Sequence, residues 1–135
     1  NNLIKIVEKN ELNNFYFTGG RTDIRPILKR FNLFLCCSLH ESGPMTIWEA
    51  MSMAKPVIST NVGDVKFYVK DGKNGFVVNV GDKEKLSQKI AMMINNHKKI
   101  VNFGNYSRKI AVQELDASLC AKRHMKAYNS FLHSN

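Results

Sequence analysis

Apolar residues along the chain fall into two kinds of run. Short unbroken stretches come first: Phe15-Tyr16-Phe17, Leu33-Phe34-Leu35-Cys36-Cys37, Pro56-Val57-Ile58 and Phe76-Val77-Val78. An uninterrupted apolar run of that kind marks a strand covered on both faces. Elsewhere the period is that of a helix face. Residues 23–31 carry Ile24, Ile27, Leu28 and Phe31 at helical spacing, with Pro26 in the first turn, where no backbone donor is missed. Leu3, Ile4, Val7 and Leu12 hint at the end of an earlier helix. A further helix is expected from about Thr46 to Met53 and a helical turn over 65–70. Asp82 is placed to cap a helix carrying Leu86, Ile90 and Ile94. The remaining C-terminal residues read as helical, with breaks near Gly104 and Asp116.

Turn chemistry separates these runs. The strand expected at residues 14–18 stops at Gly19-Gly20, and residues 38–45 form a loop containing Gly43 and Pro44. Asn61-Val62-Gly63-Asp64 turns, and Asp71-Gly72-Lys73-Asn74-Gly75 is dense in turn formers. Strands alternating with helices from residue 14 to 97 imply an α/β fold, a Rossmann-like parallel sheet with helices on both faces. About four strands are visible, where a doubly wound domain usually has roughly six, so opening strands are expected to be missing from this chain. It also lacks an initiator Met and is expected to begin inside a longer protein. One domain is expected over residues 1–135, with 98–135 its C-terminal helices.

Composition narrows the class. The 135 residues are 44% hydrophobic and 23% charged, ordinary for a soluble globular domain. No apolar run is long enough for a membrane-spanning helix, and the N-terminus has no signal-peptide shape, so a cytoplasmic site is expected. Cys36, Cys37 and Cys120 show no metal-ligand or CxxC spacing. Adjacent strand residues point to opposite faces and cannot readily pair, so buried thiols in a reducing compartment are expected. The net charge of +9 suits a solvated basic surface, with peripheral contact at the inner face of a membrane as the next reading. The basic residues are dispersed and do not alternate with aromatics, so no nucleic acid is expected as a partner.

Residues 38–60 hold the chemistry. Glu41 follows a buried strand, and Glu49 comes eight positions later. Ligands of open parallel sheets bind at the carboxyl ends of the strands. Gly43 lets backbone approach a ligand closely. A helix opening near Thr46 would aim free N–H groups and its positive dipole end at that crevice, which suits a diphosphate without a metal. One turn in, the Glu49 carboxylate could accept two hydrogen bonds from a ribose diol. By spacing alone, Thr46-Ile47-Trp48-Glu49 equally fits a capping box. His40 has no evident partner for acid–base work, and His97, His124 and His133 form no pattern.

The stretch Glu41-Ser42-Gly43-Pro44-Met45-Thr46-Ile47-Trp48-Glu49-Ala50-Met51 resembles the motif of the GT-B glycosyltransferases, in particular their large retaining, sucrose-synthase-like family. That motif is a Glu, seven residues, then a second Glu followed by Ala-Met. The likeness continues through Lys55-Pro56-Val57-Ile58-Ser59-Thr60, Val62-Gly63 and Asp71-Gly72-Lys73-Asn74-Gly75-Phe76-Val77-Val78. Upstream, Phe17-Thr18-Gly19 and Asp23-Ile24 match as well, so that it covers about residues 14–95.

The resemblance implies the C-terminal, donor-binding half of a GT-B fold. Glu41 would be the catalytic carboxylate, contacting donor-sugar hydroxyls near the reacting carbon as positioner and electrostatic partner. Ser42, Gly43, Pro44, Met45 and Thr46 would hold the sugar and diphosphate, chiefly through backbone amides. Glu49 would bind the ribose, and Gly19, Gly20 and Arg21 would lie near the nucleobase. The donor would be a nucleotide sugar, UDP-linked by analogy, with neither metal nor cofactor. The acceptor, a saccharide or glycolipid, would be met by an N-terminal domain absent here, leaving this chain inactive alone. Two departures stand out. The usual Glu-Gly-Phe-Gly reads Glu41-Ser42-Gly43-Pro44, and Pro44 removes one backbone donor. The Arg and Lys with which the family neutralises the diphosphate match no residue here. The alternative is a non-catalytic nucleotide-binding or partner-docking module of the same fold.

Overall fold

The computed structural model describes residues 2–132; residue 1 and residues 133–135, His133 among them, lie outside the described residues. The elements in chain order are α1 (Asn2–Lys9), α2 (Arg25–Arg30), β1 (Phe34–Cys36), α3 (Met45–Ser52), β2 (Val57–Thr60), α4 (Val65–Tyr68), β3 (Gly75–Val78), α5 (Lys83–Ile94), α6 (His97–Glu114) and α7 (Ala117–Leu132). The strands form a parallel sheet in the order β1-β2-β3, with Leu35, Ile58 and Phe76 in register across it. The expected α/β, Rossmann-like arrangement is present.

Alternation along β2 explains the two-sided burial. Val57 and Ile58 are both fully buried but belong to different cores. Val57 packs with Ile47 and Met51 of α3 and with Val65 and Val69 on and after α4. Ile58 packs with Phe76, Met93 and Phe103, backed by Leu86 and Ile90 of α5. Successive strand residues point to opposite faces, and helices cover both. The long α6 serves both cores, through Phe103 near its start and Ala111 near its end. Burying a side chain such as Ile58 stabilises the fold by about 1.5–3 kcal/mol.

Two expectations fail. Residues 14–18 form no strand. Phe15, Tyr16 and Phe17 are exposed, Tyr16 by 86%. A strand exists only through a neighbour's hydrogen bonds, and among the described residues β1 pairs with β2 alone. The break near Gly104 is also absent, because α6 runs unbroken from His97 to Glu114. A Cβ on Gly104 would collide with the carbonyl oxygen of Ala54, so this glycine admits close packing and does not end the helix. The break near Asp116 does occur. The Asp116 carboxylate accepts the amides of Ser118 (3.0 Å) and Leu119 (3.1 Å) and starts α7. Asp82 likewise accepts the Lys85 amide at 2.9 Å, as the sequence suggests. Among the described residues no helix is long and apolar enough to cross a membrane.

Candidate functional site

The carboxyl edge of the sheet is built by the chain leaving β1 and entering α3. Pro44 is the N-cap of α3, and no side chain caps it. The first turn closes when the Ile47 amide donates to the Pro44 carbonyl at 2.9 Å. The amides of Met45 and Thr46 precede that bond and meet no acceptor among the described residues. They carry the partial positive charge of the helix end. Because the helix begins one residue earlier than expected, Thr46 lies inside its first turn and the capping box does not form. Glu49 is left exposed, and its carboxylate takes no hydrogen bond among the described residues, while its carbonyl accepts the Met53 amide at 3.1 Å within the helix. Pro44 itself is buried, Ser42 and Thr46 are exposed, and Met45 is 67% exposed.

Glu41 is exposed on the same loop, but its carboxylate is not loose. The Ser38 hydroxyl donates to Glu41 Oε1 at 2.8 Å. The Ser38 carbonyl in turn accepts the buried Thr60 hydroxyl, 2.6 Å away, at the end of β2. A second tie comes from the turn after β2. Gly63 adopts a φ of +46°, and a Cβ there would strike the carbonyl oxygens of Glu41 and Ser42. The next residue, Asp64, donates its amide to the Ser42 carbonyl at 3.0 Å. The sequence marked Gly63 only as a turn or a loop-shaping residue, and Ser38 and Thr60 carried no signal by themselves.

Two clefts border α2. One, of about 310 Å³, is lined by Met45, Trp48 and Glu49 of α3 and by Ile24, Arg25 and Leu28. The other, of about 180 Å³, is lined by Thr18, Gly19 and Arg21 and shares Ile24 and Leu28 with the first. The structure thus brings Gly19, Arg21, Met45 and Glu49 to the two sides of α2. Gly20, Glu41, Ser42, Gly43, Pro44 and Thr46 line neither cleft. Arg25, which the sequence does not single out, donates to the Asp23 carboxylate through Nε at 2.8 Å and Nη2 at 3.0 Å. Those hydrogen bonds hold the Asp23 carboxyl below its ordinary range. A D-x-R spacing at a helix start was the available signal.

A third hollow, of about 200 Å³, opens where the strands end, lined by Cys37, Thr60, Val78 and Leu86 among others. Burial raises the Cys37 thiol above its ordinary pKa, and neighbouring Cys36 adds to it, so the group stays protonated near neutral pH. All three cysteines are free thiols, but the expected burial holds for Cys36 alone: Cys37 is exposed just past the end of β1 and Cys120 is half-buried. His40 is exposed and has no partner among the described residues. Lys70 and Lys73 precede β3 and therefore sit at the opposite, amino edge of the sheet. Among the described residues no three His, Cys, Asp or Glu side chains cluster as metal ligands.

The family described as Glycosyl transferases group 1 matches residues 1–110. The lipopolysaccharide core biosynthesis glycosyltransferase LpsE of Rhizobium meliloti is 32% identical over 78 residues, 58% of this chain and 23% of the relative. The poly(ribitol-phosphate) alpha-N-acetylglucosaminyltransferase of Staphylococcus aureus is 24% identical over 133 residues, 95% of this chain and 26% of the relative. The chain therefore spans about a quarter of these curated relatives. Among solved structures, Anabaena HepE in complex with UDP superposes with a TM-score of 0.90 at 26% identity, over 96% of this chain and 36% of HepE.

Proposed function

The chain belongs to the group 1 glycosyl transferases, and on that premise we propose that it holds the nucleotide-sugar donor of a retaining transferase. The sugar goes to a saccharide or glycolipid acceptor in polysaccharide or glycolipid biosynthesis, and the acceptor is met by a further N-terminal domain. The protein works in the cytoplasm, at or near the inner face of the membrane. The observation that carries this reading is the uncapped start of α3, set between two exposed carboxylates at the carboxyl edge of the sheet. UDP is the nucleotide we favour, since HepE was solved with UDP.

The chemistry follows from charge. When the bond from the anomeric carbon to the diphosphate breaks, its electron pair leaves on the phosphate oxygen. The Met45 and Thr46 amides face that developing negative charge, and preorganised donors of this kind act without a metal. Positive charge grows at the anomeric carbon, where the Glu41 carboxylate stabilises it and orients the sugar hydroxyls. The acceptor oxygen attacks from the face that the diphosphate leaves and passes its proton to the departing phosphate oxygen, so the step balances and the configuration is retained. Glu49 takes the ribose diol in the cleft it shares with Arg25 and Trp48, and Gly19, Gly20 and Arg21 lie toward the base.

Calorimetric titration of the chain with UDP tests this. Binding is expected, and Glu49→Ala, which removes the acceptor for two ribose hydroxyls, should weaken it by about tenfold or more. No heat at millimolar UDP, or full affinity in the Glu49→Ala variant, would contradict the reading.

A further inference from the structure

We infer that Ser38 is the positioning residue for Glu41, fixing its carboxylate for the donor sugar. This rests on the donor-site reading above and adds to it the means by which one exposed side chain is aimed.

An exposed glutamate on a loop ordinarily samples many rotamers, and ordering it on binding costs free energy. Here the ordering is built in. The Ser38 hydroxyl donates to Glu41 Oε1 at 2.8 Å, a charge-assisted bond stronger than one between neutral groups. Ser38 is itself anchored, because its carbonyl takes the buried Thr60 hydroxyl at 2.6 Å. Its oxygen also lies 3.6 Å from the Cys36 sulfur. The hydroxyl is therefore referenced to the ends of β1 and β2, the rigid part of the molecule. The backbone beneath Glu41 is held independently by Gly63, which leaves room for the Glu41 and Ser42 carbonyls, and by the Asp64 amide. Together they leave the carboxylate of Glu41 one oxygen bound to Ser38 and the other open to a ligand.

The test uses calorimetry on the whole chain with three probes: UDP, UDP-glucose and UDP-N-acetylglucosamine. UDP lacks the sugar and reads the nucleotide site alone. Wild type is expected to bind one of the sugar nucleotides more tightly than UDP. Ser38→Ala should leave UDP affinity unchanged and weaken that sugar nucleotide about three- to tenfold. Glu41→Gln should abolish the sugar's advantage, and Ser38→Ala added to Glu41→Gln should change nothing further. Ser38→Thr, which keeps the hydroxyl, should restore most of the loss. Equal weakening of UDP and sugar nucleotide by Ser38→Ala would overturn the inference, as would additive effects of the two substitutions. So would sugar nucleotides that bind wild type no better than UDP. In each of these cases UDP binding lost in Glu49→Ala would leave the donor-site reading standing. Failure of all three probes would instead sink that reading and the inference with it.

Discussion

Asn74 shows how much a single turn residue can carry. It is completely buried, yet every polar group it brings is used. Its Oδ1 accepts the Lys70 amide at 2.6 Å, and its Nδ2 donates to the Tyr68 carbonyl at 3.1 Å. Its carbonyl accepts the Val57 amide at 3.1 Å, continuing the ladder below β2. Asn74→Ala would leave the Lys70 amide and Tyr68 carbonyl without these partners, at a cost of about 2–4 kcal/mol. Urea denaturation should show that loss, and an unchanged midpoint would contradict the account. Sequence alone showed a turn at 71–75, because Gly and Asn are turn formers by backbone preference. That the Asn side chain knots α4 to β3 was not legible, since it depends on burial created by elements distant in sequence. The same holds for Ser38 and Gly63. Glu41 and Glu49 stand out in the sequence by their spacing and neighbours, whereas the groups that hold Glu41 come from the ends of two strands and a later turn.

Elements were read best where apolar runs were dense. β2 and β3 appear within two residues of the expected runs, because buried parallel strands leave continuous apolar runs. The run at 14–18 looked no different, but strand formation is a property of pairs, and this one has no neighbour among the described residues. Helix α6 was misjudged at Gly104 for a related reason. Low helix propensity costs roughly 1 kcal/mol, and close packing against the loop after α3 outweighs it. Gly104→Ala should therefore destabilise the fold by about 1–3 kcal/mol despite the better helix propensity of alanine. A raised melting temperature in that variant would show that propensity, and not the approach to Ala54, governs the site.

Across the molecule, the sheet divides two cores and leaves its carboxyl edge for ligands, the usual place in open α/β folds. Charge is consistent with an anionic ligand but does not locate it. Net charge is +9, and the basic residues are dispersed, with Lys70 and Lys73 on the opposite edge. Attraction between exposed charges fades beyond roughly 10 Å at moderate salt, so distant lysines would steer the proposed diphosphate without fixing its position. The local donors that can fix it are the amides opening α3. Backbone amide NMR during titration with UDP separates these cases. Saturable shifts centred on Met45, Thr46 and Glu49, persisting at high salt, are the result expected. Shifts confined to the lysine-rich surface and erased by salt, with the α3 amides unmoved, would contradict it.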